Sequence, residues 1–149
     1  MTHTYKTRFL LAGLASVLLV GLVAAQAAQA TKTKSADGAK VYIISPKDGA
    51  TVTSPVTIQF GLKGMGVAPA GVSLPTTGHH HLLIDVTEMP SMDAPLPNND
   101  HIKHFGGGQT ETDLVLTPGK HTLQLVLGDA THTPHDKPVV SEKITITVK

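Results

Sequence analysis

The clearest structural signal in the chain lies at residues 117–127, which read TPGKHTLQLVL. A Pro-Gly pair of this kind is typical of a tight turn. After it, Leu123, Leu125 and Leu127 recur at every second position. Because successive side chains of a strand point to opposite faces of a sheet, this spacing predicts a half-buried β-strand over residues 121–127.

Similar patterns extend outward from this strand in both directions. Runs rich in Val, Ile and Thr, bounded by Gly, Pro and Asp turn signals, predict further short strands, and no helix is expected after residue 30. These strands are 41–44, 55–62, 79–86, 112–116 and 139–148, with loops at 61–78, 87–111 and 128–138. The pattern predicts an all-β fold, an immunoglobulin-like antiparallel β-sandwich of about seven strands, with a small barrel as the alternative.

The first thirty residues differ in composition from the rest. Lys6 and Arg8 precede an uncharged apolar run at 9–23, and Ala28 and Ala30 form an A-x-A cleavage site. These features predict a signal peptide over 1–30 and a periplasmic or secreted mature protein. The run of 15 residues is shorter than the roughly 20 that a spanning helix needs, so the mature protein is not expected to be embedded in a membrane. A flexible linker at 31–39 would precede the sandwich domain at 40–149.

Composition after residue 30 narrows the classes of function. Ten lysines face eleven Asp and Glu residues, a net charge of −1, and no arginine remains. Nucleic acid is therefore not an expected partner, because phosphate binding depends on clustered Lys and Arg. The chain has no cysteine, so a metal site would use histidine, carboxylate or methionine ligands. Nothing in the composition indicates a particular protein partner.

Histidine is unusually frequent after residue 30. The eight positions are His79, His80, His81, His101, His104, His121, His132 and His135. In an immunoglobulin-like sandwich the start of strand 79–86, the loop before 112 and the loop after 127 meet at one pole. We therefore expect seven histidines at that pole. His121 opens a strand at the opposite pole, where a structural role is expected.

Alternation along strand 79–86 divides the triple histidine between the two faces. Leu82, Ile84 and Val86 are expected to face the core together with His80, which places His79 and His81 on the outer face. Two such residues lie about 6.5–7 Å apart along a strand, a distance that lets both imidazoles bind one ion.

A complete metal site needs ligands from the neighbouring loops. The predicted ligands are His79, His81, His104 and either His132 or His135, with His101 and Glu111 as further candidates. Imidazole binds copper and zinc, and a site without thiolates favours Zn(II) or Cu(II) over Cu(I).

Two other functions stay open on the sequence. The histidines could brace loops through hydrogen bonds, in an immunoglobulin-like envelope domain that serves interaction or structure without metal. A metal-dependent enzyme is the least favoured, since it needs an open coordination position and a general base. Glu111, Asp129 and Asp136 are available as bases, but the sequence singles out none of them.

Several blocks of sequence, in order, carry a resemblance to a known family. They are the stretches 78–85, 104–111 and 116–123, followed by Gly128-Asp129 and the histidines at 132 and 135. Over about residues 41–148 the chain resembles the uncharacterised bacterial domain-of-unknown-function family 4399. The resemblance implies a signal-bearing envelope protein of unassigned activity, and it transfers no catalytic or ligand residue.

The cleavage site gives the first testable prediction. The mature N-terminus should lie near Thr31, because the small residues at Ala28 and Ala30 fit the requirements of signal peptidase. Intact-mass spectrometry of protein from the cell envelope measures this directly. Recovery of protein that still carries residues 1–30 would contradict it.

Overall fold

The computed structural model describes Met1 and residues 32–149. The predicted signal peptide, apart from Met1, lies outside the described residues. Residues 32–149 contain strands, turns and bends but no helix, and the described part of the chain accordingly has no helix that could cross a membrane. The nine strands of this part are β1 Lys40–Ser45, β2 Thr51–Val52, β3 Val56–Lys63, β4 Gly66–Val67, β5 Thr77–Ile84, β6 Ile102–His104, β7 Glu111–Leu114, β8 Gly119–Gly128 and β9 Ile144–Val148.

The strands form two sheets. The smaller has the order β1-β3-β7 and is antiparallel throughout. The larger has the order β2-β9-β8-β5-β4, and β6 also pairs with β5. Its pairs are antiparallel except β2 with β9 and β4 with β5. The predicted all-β class and the antiparallel sheets are therefore confirmed.

Apolar side chains from both sheets fill the space between them. The smaller sheet contributes Val41, Val56, Ile58 and Phe60, and the larger contributes Leu82, Ile84, Leu123, Leu125, Leu127, Ile146 and Val148. The three alternating leucines of β8 are completely buried, as the spacing predicts. Burial of this apolar surface is the main term that stabilises the folded chain.

The larger sheet is also covered on its outer face, around strand β5. A second apolar cluster of Leu83, Leu96, Ile102 and Val126 packs there. Leu96 and Ile102 come from the stretch 87–111, which the sequence predicts as a long loop. Strand β5 is therefore buried on both faces, with every residue from 78 to 84 buried.

Two predicted loops and one predicted strand boundary are wrong. The loop predicted at 61–78 contains β4, and the loop predicted at 87–111 contains β6; these strands have two and three residues, too short a pattern to detect. The strand predicted at 139–148 begins at Ile144. The Ser141 hydroxyl accepts a hydrogen bond from Leu125 N at 2.8 Å, so a side chain replaces a backbone partner just before β9.

Residues 32–35, which belong to the predicted linker, lie along the connection between β8 and β9. Lys34 forms a β-bridge with Asp136. Asp136 N donates to Thr33 O at 2.8 Å, and the Ser35 hydroxyl donates to Asp136 O at 3.0 Å. We call residues 32–35 the N-terminal strap.

The shared core gives a stability prediction. Leu125→Ala should lower the free energy of unfolding by about 2–5 kcal/mol, because it leaves a cavity at a position with no exposed surface. Val115→Ala is the control, since Val115 is 81% exposed and the change should cost less than about 0.5 kcal/mol. Urea unfolding followed by circular dichroism measures both. Equal losses for the two variants would contradict this view of the core.

Candidate metal site

Four histidines meet on the outer face of the larger sheet. His79 and His81 alternate with His80 along β5, so both point outward from the core. Strand β6 runs antiparallel to β5 and pairs His104 directly with His81. His132 comes from the connection between β8 and β9, where its backbone has a φ of 67°. We call these four residues the four-histidine site.

The imidazole rings of this site are close enough to share one ion. Their centroids are separated by 4.8 Å for His79–His81, 4.9 Å for His79–His104, 5.1 Å for His79–His132, 5.1 Å for His81–His104, 6.2 Å for His81–His132 and 4.5 Å for His104–His132. One ring nitrogen from each residue lies within 4.8 Å of the other three.

These separations fit a small cation after modest rotations of the rings. Around a tetrahedral zinc with Zn–N distances near 2.0–2.1 Å, ligand nitrogens lie about 3.3–3.4 Å apart. Nε2 of His79 and Nδ1 of His132 are already 3.2 Å apart. The remaining nitrogens would have to close from at most 4.8 Å. The donor set therefore fits zinc or copper, both of which accept imidazole nitrogen.

The site is buried, yet several of its ring nitrogens lack a partner. His79 and His81 are each 1% exposed, and His104 and His132 are half-buried. Within the described residues, no hydrogen bond reaches His79 Nδ1, either ring nitrogen of His81, or His104 Nε2. Buried polar atoms are normally paired, because leaving one unpaired costs about 1–3 kcal/mol. An ion bound between the rings would satisfy up to one such nitrogen on each of His79, His81 and His104.

Two glycines, which have no side chain, make room for the imidazole rings of His81 and His104. A Cβ atom on Gly128 would lie 2.6 Å from Cε1 of His81. A Cβ atom on Gly106 would overlap Cε1 and Nε2 of the His104 ring. Any larger residue at either position would displace an imidazole, so both glycines help to shape the four-histidine site.

Burial lowers the pKa of three of the four histidines in the site. Burial, together with repulsion from His104 and His132, lowers the pKa of His79 to about 4. Burial likewise lowers the pKa of His81 to about 3, with added repulsion from the other three histidines. Burial and His132 also lower the pKa of His104. Neutral imidazole is the form that binds a metal, and the lowered pKa values keep these three histidines in that form at pH 7.

The other predicted site residues lie apart from the four. His135 is buried, but its Nε2 pairs with Thr77 O at 3.0 Å. Glu111 is exposed on β7, where it accepts a hydrogen bond from Gln59 at 3.2 Å. Both lie outside the group of histidines that could hold an ion.

His101 shows where the predicted clustering is wrong. The expectation of seven histidines at one pole fails for this residue, because β6 leads the chain along β5 in the opposite direction. His101 lies beside Ile84 at the far end of β5, with its Nδ1 3.0 Å from Ile84 O. The distance along β5 from His81 to Ile84 is about 10 Å at the usual rise per residue.

His80 and His121 occupy the positions that the sequence predicts. His80 is fully buried on the core side, with its ring centroid 5.2 Å from that of Phe60, and burial lowers its pKa to about 4. His121 lies far along β8 from the site, with Nδ1 2.7 Å from Asp85 Oδ2 and Nε2 2.8 Å from Thr117 O. The hydrogen bond to Asp85 raises the pKa of His121.

Sequence reasoning missed the role of Asp129, which it considered only as a general base. Asp129 Oδ1 accepts hydrogen bonds from the backbone N of Thr131 at 2.8 Å and of Thr133 at 3.1 Å. A carboxylate that pairs with the backbone two residues ahead forms an Asx turn. The Asp-Ala-Thr order at 129–131 is the signal that would have indicated it.

Comparison with known protein families finds a match for part of the chain. A family model described as Domain of unknown function (DUF4399) matches residues 58–149. The match contains all four residues of the four-histidine site. No curated protein and no solved structure is detectably similar to the chain.

The lowered pKa values predict that acid destabilises the metal-free protein. Between the ordinary pKa of 6.5 and the values near 4 and 3, the unfolded chain binds protons that the folded chain does not. The free energy of unfolding should therefore fall with pH in this window, by at most about 1.4 kcal/mol per pH unit for each buried histidine. Above pH 6.5 this contribution is present in full. Urea unfolding of metal-free protein at pH 7, 6, 5 and 4 measures it.

Two variants assign this pH dependence to particular residues. His81→Leu should flatten the curve between pH 6.5 and 4, because leucine fills the site without titrating. His121→Asn should have the opposite effect and lower the free energy of unfolding at acidic pH. The pKa of His121 is raised in the folded chain, so this residue adds stability below its pKa in the unfolded chain, and that stability is lost as pH rises through its folded-state pKa. A His81→Leu curve that runs parallel to that of the wild type would show that burial does not lower the pKa of His81.

Proposed function

The chain belongs to the DUF4399 family, a family of unknown function, and we propose from its geometry that it is an exported module binding one zinc or copper ion at the four-histidine site. The observation that carries this proposal is the convergence of four imidazoles, with one nitrogen of each within 4.8 Å of the others. Three of the four present a buried ring nitrogen without a hydrogen-bond partner. Such nitrogens are the neutral donors that these metals bind.

The donor set favours a particular class of metal and use. Four imidazoles without a thiolate or thioether suit Zn(II) or Cu(II) better than Cu(I). Four protein ligands also fill a tetrahedral shell, whereas a catalytic zinc keeps a position for water or substrate. We therefore propose that the protein carries, stores or structurally uses the ion and is not a hydrolytic enzyme.

Other features of the chain support the export of the protein and an immunoglobulin-like fold around the site. The basic start, the apolar run and the A-x-A site in residues 1–30 support export to the periplasm or the medium. The two facing sheets and their shared core support an immunoglobulin-like arrangement of the sandwich. Strands β5 and β6 supply three of the four proposed ligands, and the connection between β8 and β9 supplies the fourth.

One contact favours a second function, in which the histidines brace the fold without metal. Nε2 of His79 and Nδ1 of His132 lie 3.2 Å apart, a distance at which one ring donates a hydrogen bond to the other. This bond joins β5 to the connection between β8 and β9. It leaves both ring nitrogens of His81 without a partner, which is also true of His80 on the core side.

Calorimetric titration separates the two functions. Zinc or copper added to metal-free mature protein at pH 7 should bind saturably with one ion per chain and a Kd below about 10 μM. Binding should also raise the stability of the folded state by roughly 2.7 kcal/mol at a free metal concentration of 100 times Kd. The double variant His79→Ala with His81→Ala should lose both effects, because it removes two of the four ligands.

Matched histidine variants serve as controls. His101→Ala and His121→Ala each remove a hydrogen-bonded histidine away from the four-histidine site, so both should bind metal like the wild type. The absence of saturable binding to the wild type at 10 μM would favour the loop-bracing function. Loss of binding in the His101 variant would mean that the ligand set is wrong.

A further inference from the structure

Asp129 organises the connection that carries His132. Its Oδ1 accepts hydrogen bonds from Thr131 N and from the Thr131 hydroxyl, both at 2.8 Å, and from Thr133 N at 3.1 Å. The backbone closes the same turn, because His132 N donates to Asp129 O at 3.0 Å and Asp129 N donates to Thr133 O at 2.9 Å. These bonds flank His132 on both sides and fix its direction.

His132 needs such support because of its backbone conformation. Its φ of 67° lies in the left-handed region, which residues other than glycine seldom adopt. A residue persists there only when the surrounding structure holds it. On its far side, His132 O accepts a hydrogen bond from Leu96 N at 2.9 Å, so the residue is held between Asp129 and the connection from β5 to β6.

The second oxygen of Asp129 reaches the N-terminal strap. Asp129 Oδ2 accepts a hydrogen bond from the Thr33 hydroxyl at 2.9 Å. The strap is itself attached further along the same connection through Asp136. Asp129 therefore joins the strap and the turn through a single buried carboxylate, which is only 6% exposed.

The charge of Asp129 matters as well as its hydrogen bonds. Burial would raise the pKa of this carboxyl group, but the hydrogen bonds from Thr131, Thr33 and Thr133 more than offset burial and lower it. Asp129 is thus a buried anion close to the four-histidine site, and no other described carboxylate is buried. A bound divalent cation would have this anion near its fourth ligand.

We infer that Asp129 is a positioning residue for metal binding, which holds His132 in place as the fourth ligand and connects it to the N-terminal strap. The inference rests on the proposed metal-binding function. His79, His81 and His104 are fixed by paired strands. His132 alone depends on a turn, so weakening that turn should convert a four-histidine site into a three-histidine site without removing any ligand.

A double-mutant cycle tests this inference. Zinc affinity is measured by calorimetry for the wild type, Asp129→Ala, His132→Ala and the double variant. Asp129→Ala should bind zinc about 10–100-fold more weakly, the usual effect of losing a group that supports a ligand. In the His132→Ala background the same change should weaken binding less than about 3-fold, because the effects of substituting two residues are not additive when one acts through the other.

A spectroscopic readout separates positioning from general loss of stability. Electron paramagnetic resonance of Cu(II) bound to each variant reports the number of coordinated imidazole nitrogens. This number should fall from four to three in both single variants. Asp129→Asn, which keeps an acceptor oxygen for the turn, should retain more affinity than Asp129→Ala.

A second aspartate supplies the matched control. Asp48 Oδ1 also accepts a backbone hydrogen bond, from Thr145 N at 2.8 Å, but at the end of the sheet away from the four-histidine site. Asp48→Ala should leave zinc affinity and the nitrogen count unchanged. If Asp129→Ala does not fold, Thr33→Ala replaces it in the cycle and should weaken zinc binding only when His132 is present.

The outcomes distinguish the two proposals. Suppose that the wild type binds zinc but Asp129→Ala weakens binding equally in the wild-type and His132→Ala backgrounds, or still coordinates Cu(II) through four nitrogens. Either result would overturn the role of Asp129 and leave metal binding intact. No zinc or copper binding by the wild type would overturn both.

Discussion

The burial of β5 on both faces is the constraint on which the rest of the structure depends. One edge pairs with β8 along residues 79–84, and the other pairs with β4 and β6. The core covers one face and the second apolar cluster covers the other. Burial in such a strand lowers the pKa of all three consecutive histidines, so they are neutral near pH 7. The outer pair, His79 and His81, lies beside His104 and His132, and neither His80 nor His81 has a hydrogen-bond partner for its ring nitrogens among the described residues.

This arrangement combines two kinds of support. Paired strands hold three of the imidazoles, and packing against Gly106 and Gly128 fixes the place of two of their rings. The fourth imidazole stands on a turn whose backbone is held by one carboxylate. If the site binds metal as proposed, three ligands on paired strands and a fourth on a turn would let an ion enter and leave without disturbing the core. Such a division would suit a protein that carries metal, since exchange would then require only local movement.

The sequence predicts the fold class and half of the site well, for identifiable reasons. Alternation in β8 and β5 depends only on local geometry, so it correctly places the leucines inward and His79 and His81 outward. The choice of His132 over His135 depends on a turn set by the Asp129 side chain, which no periodicity reveals. The position of His101 depends on the direction of β6, a strand of three residues whose pairing is decided by tertiary contacts. The sequence therefore predicts which strand offers ligands better than it predicts which loop residues meet them.

The central claim is that four imidazoles share one ion, and anomalous diffraction tests it most directly. Crystals of the mature protein grown with zinc would be measured on both sides of the zinc absorption edge. The account predicts one strong anomalous peak about 2.0–2.1 Å from a ring nitrogen of each residue of the four-histidine site. A peak at another position, or no peak with His79 still hydrogen-bonded to His132, would contradict it.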